Sequence, residues 1–102
     1  MNQEEFNKGI KDLAESIEYI HSYEIVSSEN IYDYEGNVAN LKIEAYDGSI
    51  WIVPFIENPE NRNEIVIEAG EYHWIDGNAE NLYAYLWLES LQKKTKRTGN
   101  DE

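Results

Sequence analysis

The side chains able to do chemistry are mostly carboxylates, 21 Asp and Glu residues in 102. General acid–base catalysis by such groups needs two of them flanking one cleft in contrasting environments. No pair at a telling spacing stands out, and neither Asp33 nor Glu35 has a partner that would make it a catalytic acid. The two histidines, His21 and His73, lie far apart and outside any H-E-x-x-H pattern, so no metal site is expected. The segment Asp33-Tyr34-Glu35-Gly36-Asn37 lacks the ligand spacing and terminal Glu of a calcium loop. The serines lack a G-x-S-x-G context, and no Gly-rich phosphate loop is present. With no cysteine, disulfides, thiolate metal sites and thiol nucleophiles are excluded. The chemistry expected is therefore binding: no enzyme activity and no cofactor.

Charge says what kind of binding. Residues 1–92 hold four basic residues against 19 acidic ones, a net of −15. Residues 93–102 carry Lys93, Lys94, Lys96 and Arg97 against Asp101 and Glu102, a net of +2. A body this acidic repels nucleic acid and anionic membrane and attracts basic protein surfaces. No apolar run approaches a membrane span. The start MNQEEF has neither the basic region nor the apolar run of a signal peptide, so a cytoplasmic location is the expectation.

Acidic chains with few aromatics tend to be disordered. This chain has 13% aromatic residues, including 3 Trp and 8 Tyr, together with Ile and Val runs at strand spacing, so it reads as folded. Eight tyrosines cannot all be interior in a domain of this size. Tyr among carboxylates supplies contact area at low entropy cost together with charge complementarity. The residues expected to bind protein are Tyr32, Asp33, Tyr34, Glu35, Glu44, Asp47, Glu64 and Glu68, forming one patch on outward strand positions and turns.

The elements that must position these residues follow from periodicity. Phe6, Ile10, Leu13, Ile17 and Ile20 make one apolar helical stripe, with Asn2 and Glu5 as a capping box and Glu4–Lys8 as an i, i+4 pair. From Tyr23 the period becomes two, and one extended segment takes in Ile25, Ile31, Tyr32 and Tyr34. Glu35-Gly36-Asn37 is a turn. Val38 to Tyr46 alternates, and Asp47-Gly48 predicts a type I′ hairpin. Ser49 to Ile56 is apolar on both faces, as in a central strand, and Pro54 places its end at an edge or bulge. Glu64 to Ala69 and Tyr72 to Ile75 are further strands, with Ile65 and Ile67 inward and Glu64 and Glu68 outward.

A second helix is predicted from Ala79 to Gln92, capped by Asn78. Leu82 to Leu88 is apolar or aromatic throughout, so this helix is expected to be buried on more than one side, or to form a homodimer through Tyr83, Tyr85 and Trp87. The predicted core is Phe6, Ile10, Leu13, Ile17, Leu41, Ile43, Ile50, Ile52, Ile65, Ile67, Leu82, Leu86 and Leu88. The fold class is α+β: an N-terminal helix, a four- or five-stranded antiparallel sheet and a C-terminal helix in a two-layer single domain over residues 1–92. Residues 93–102 are expected to be a polar, basic, disordered tail.

In size, acidity and lack of cysteine the chain resembles phage-encoded inhibitors of host nucleases, including anti-CRISPR proteins and DNA mimics, and also immunity proteins. Its bias toward Asn, Ile, Glu and Tyr looks like AT-rich coding, as in many low-GC bacteria and their phages. The resemblance implies a partner with a basic, nucleic-acid-binding cleft, such as a defence nuclease. The alternative is a dimeric acidic chaperone or adaptor, similar to type III secretion chaperones, or a small-ligand-binding module.

Overall fold

The computed structural model describes residues 1–27, 35–70 and 73–88. Helix α1 spans Gln3–Glu15. The five strands are β1 (Ile20–Ser27), β2 (Val38–Ala45), β3 (Ile50–Glu57), β4 (Ile65–Gly70) and β5 (His73–Asp76). Helix α2 covers residues 79–88 of the described chain. The strands form one antiparallel meander in the order β1-β2-β3-β4-β5. Phe6, Ile10 and Ala14 of α1 and Leu82 and Leu86 of α2 pack into one core with Leu41, Ile43, Trp51, Val53, Phe55 and Ile67 of the sheet. The domain is thus the expected α+β layer pair, with both helices on one sheet face.

The capping box forms as predicted. The Asn2 side chain accepts from the Glu5 N–H at 2.8 Å, and Glu5 accepts from the Asn2 N–H at 3.5 Å. Lys8, however, pairs with Asp12 at 2.9 Å rather than with Glu4. The helix stops at Glu15, shorter than its apolar stripe. Beyond Leu13 the chain tightens into i→i−3 turns, with Ser16, Ile17 and Ile20 donating to Leu13, Ala14 and Ile17. These turns keep Ile17 and Ile20 in the core although Ile20 already begins β1. The predicted extension through Ile31, Tyr32 and Tyr34 lies outside the described residues, as does the tail.

The β2–β3 hairpin departs from the expected type I′ turn. Ala45 N–H donates to the Ser49 carbonyl and Gly48 N–H to the Ala45 carbonyl, which leaves Tyr46, Asp47 and Gly48 as a three-residue loop. Gly48 supplies the positive φ of 88° that such a loop needs at its last position. Asp47 contributes through its side chain, which accepts from the Ser49 N–H at 2.9 Å.

β3 is the central strand, and Pro54 lies inside it. Glu57 N–H donates to the Asn37 carbonyl of the β2 side, so by alternation the nitrogen of Pro54 faces β4. Pairing with β4 covers only Phe55 to Glu57. Pro54 therefore sits one residue past that ladder, where a missing donor does no harm.

Three residues of the predicted core are corrected. Ile50 and Ile52 occupy the sheet face away from the helices and are about half exposed, and Leu88 is exposed on α2. Leu13 and Ile65 are only partly buried. The places of the first three are taken by Trp51, Val53 and Phe55, the other parity of the same strand, and by the small residues Ala14, Ala39 and Ala45. A strand apolar on both faces does not announce which parity faces in. On the outer face Val38, Ile56 and Val66 form a second, smaller buried cluster with Trp74 packed against it.

Candidate functional site

Every described acidic residue except Glu44, Glu57 and Glu68 is exposed. The described cations are Lys8, Lys11, Lys42 and Arg62. Lys8 is held by Asp12 and Arg62 by Glu35 and Glu57. The Lys8 ammonium is pushed above its usual value, first by the hydrogen bond to Asp12 and then by that carboxylate's charge. Among the described residues compensation is thus local, and these ion pairs answer Asp12, Glu35 and Glu57.

The described members of the expected patch do not lie together. Glu35 and Glu64 lie at the end of the sheet where β2 begins, while Glu44 and Asp47 lie at the hairpin end. The eight residues of β2 separate the two groups by roughly 23 Å. Glu68 is corrected outright: its side chain is on the outer sheet face as expected but only 3% exposed, and it accepts from the Gly70 N–H at 2.9 Å. Glu64 is turned to its own loop and accepts from the Asn58 and Asn61 side chains. Tyr32, Asp33 and Tyr34 lie outside the described residues.

At the β2-start end, Glu57 is buried and receives the Asn37 side-chain amide at 2.8 Å and Arg62 at 3.4 Å. Arg62 also reaches Glu35 at 2.9 Å. Gly36 lies against this cluster with φ of 96°. A Cβ there would come within 2.9 Å of the Arg62 guanidinium and closer still to the Glu57 carboxylate, so any other residue must push these side-chain ends aside and hold a positive φ that favours glycine. This arrangement is structural: it joins the residue 35–37 turn to the 58–64 loop.

The hairpin end is different. Four aromatic side chains from three parts of the chain meet there. Tyr19 contacts Trp51 at 5.9 Å between ring centroids and Tyr83 at 6.3 Å, the latter edge-on. Tyr19, Tyr83, Leu86 and Trp87 line a pocket of about 90 Å³. Beside it His21 and Tyr46 stack at 4.8 Å. The Tyr19 hydroxyl is pushed above its usual value, first by desolvation and then by the charges of Asp47 and Tyr83. The Trp51 indole N–H is buried and has no hydrogen-bond partner among the described residues. Tyr83 and Trp87 are 55% and 60% exposed. Tyr85, grouped with them from sequence, is instead partly buried against the core.

Helix α2 explains this division. Asn78 caps it, its side chain accepting from the Asn81 N–H at 2.8 Å. Leu82 and Leu86, four apart, then face the sheet, and Glu80, Tyr83 and Trp87 form the exposed stripe at i, i+3 and i+7. Within the chain the described part of the helix is therefore buried on one side only. Of the two expectations from its continuous apolar run, burial on several sides is not met and a contact with a second copy stays a proposal. Sequence reasoning missed Tyr19 and Glu80 as members of this surface. The 80–83–87 spacing was the available signal.

On the outer face a depression of about 260 Å³ is lined by Ser22, Tyr23, Glu24, Lys42 and Glu44. Glu24 and Lys42 are cross-strand partners, which balances one charge there. Among the described residues no group of three or more His, Asp or Glu side chains is arranged to hold a metal ion. No described helix is long and apolar enough to cross a membrane. Compared with family models, curated proteins and solved structures, the chain matches none significantly.

Proposed function

We propose that this chain is a small acidic inhibitor that occupies a basic, nucleic-acid-binding cleft of another protein, such as a defence nuclease. The observation that carries the reading is the exposed, carboxylate-rich exterior of the described residues, whose carboxylates far outnumber its four cations, two of them already tied to carboxylates. One strand alone is a poor imitation of nucleic acid. Carboxylates two residues apart on a strand face advance about 6.6–6.8 Å along the strand, against one duplex charge per ~1.7 Å of helix axis. Imitation therefore draws on α1, the hairpin loop and the start of α2 together.

Affinity capture from the source cell at low and at high salt, followed by competition with duplex DNA, tests this. A partner released by salt and displaced by DNA supports it. A partner indifferent to both overturns it. The exposed Tyr83, Trp87 and Leu88 favour a second reading, a homodimeric adaptor or chaperone. Sedimentation at tens of micromolar separates the two: the adaptor runs as a dimer, the inhibitor as a monomer.

A further inference from the structure

The pocket at the hairpin end has properties that single out one kind of occupant. Its volume of about 90 Å³ is well below the ~300–1,000 Å³ of a small-molecule site. It suits the head of one side chain. Its walls are the rings of Tyr19, Tyr83 and Trp87 with the Leu86 methyls. Two carboxylates stand near its walls without lining it: Asp47 on the β2–β3 loop, whose charge reaches the Tyr19 hydroxyl, and Glu80, one turn before Tyr83 on the same exposed stripe. Aromatic faces with carboxylates at the rim attract a planar cation. The same carboxylates oppose a phosphate or nucleobase ligand. They also oppose a second copy, which would bring its own Glu80 and Asp47 to the contact.

We propose that this pocket receives an arginine side chain of the partner protein, its guanidinium laid against Trp87, Tyr83 and Tyr19 and facing Asp47 and Glu80. The proposal rests on the reading of the chain as a binder of basic proteins, and it assigns that reading an anchor. The acidic exterior supplies steering that any cation satisfies, and the aromatic pocket supplies a preference for Arg over Lys.

Two labelled peptides of equal length, oligoarginine and oligolysine, provide the probe, with binding followed by fluorescence anisotropy near physiological salt. The wild-type chain is expected to favour oligoarginine by about three- to tenfold. The double variant Tyr83→Ala/Trp87→Ala should bind both peptides alike while keeping its affinity for oligolysine. Both residues are more than half exposed, so the variant should keep the wild-type circular dichroism. Equal affinities in the wild type, or a preference retained by the double variant, would overturn the pocket and leave the acidic-surface reading standing. No binding of either peptide at low salt would overturn both. A wild-type dimer that the double variant dissociates would also sink the proposal, because a second copy would then fill the stripe.

Discussion

Around Gly36 the Glu57 carboxylate is buried and receives Asn37 and Arg62, whereas around Gly48 the Asp47 carboxylate stands exposed on its loop and accepts from the Ser49 N–H of its own turn. Both turns hold a glycine at positive φ, 96° and 88°. At Gly36 the space for a Cβ is filled by charged side chains; at Gly48 nothing lies within 4 Å. One end spends its carboxylates on joining loops. The other carries carboxylates and rings at the surface, among them Asp47, Glu80, Tyr83 and Trp87.

The sharpest way to break the comparison is to add one methyl at each turn. Gly36→Ala meets both the left-handed backbone penalty and displacement of the Glu57–Arg62 pair, so about 3 kcal/mol should be lost. Gly48→Ala meets the backbone penalty alone, about 1 kcal/mol. Urea unfolding of the two variants checks the ranking. Equal losses would mean the Gly36 cluster yields without cost and the two ends are alike.

Next in size is Arg62→Ala. It leaves the buried Glu57 carboxylate with Asn37 as its remaining described side-chain donor. Because the Arg62 side chain is about half exposed, water takes part of its role. The expected loss is about 1–3 kcal/mol, short of that for a fully buried pair. Glu57→Gln in the Arg62→Ala background should recover part of it. A double variant less stable than Arg62→Ala would show that the carboxylate's charge is not the source of the loss.

The difference between the ends also marks how far the sequence could be read. The capping box, the meander, the inward set of β2 and the Asn78 cap were legible because each rests on local spacing. The inner parity of β3 was not: Ile50, Ile52, Trp51 and Val53 are all apolar, and only packing against α1 and α2 selects Trp51 and Val53. Glu68 misled for a related reason. Alternation placed it correctly on the outer face, but its burial depends on neighbours far along the chain. The candidate patch was assembled from residues close in sequence, whereas a hairpin sends its two ends to opposite sides of the molecule. The aromatic pocket joins residues 19, 51, 83 and 87, which no local window contains.

On the aromatic side, stability should hardly respond. Tyr83→Ala and Trp87→Ala each remove an exposed ring, and each should change unfolding free energy by at most about 0.5 kcal/mol. Thermal melts of both variants check this. A loss comparable to Gly36→Ala would place these rings among the structural elements and erase the contrast between the two ends.

The smallest expected effect is a pH dependence where α1 meets β1. The Tyr23 hydroxyl donates to the Glu15 carboxylate. That hydrogen bond first, then desolvation, then the charge of Glu15, hold the phenol above its ordinary value of 10.0. A group raised on folding stabilises fully below its unfolded pKa, and that contribution disappears as pH rises through the folded one. The contact should therefore be intact at neutral pH and lost only above pH 10.0, as the phenolate forms beside Glu15. Tyr23→Phe should lower the melting temperature slightly at neutral pH, and its alkaline decline should be shallower than that of the wild type. The group is solvated, so the difference will be small, and paired melts across the alkaline range are the measurement. Parallel alkaline declines in the two proteins would show that the Tyr23–Glu15 contact carries no stability, leaving the apolar stripe and the Gln3 amide bonded to the Val38 carbonyl to join the first helix to the sheet.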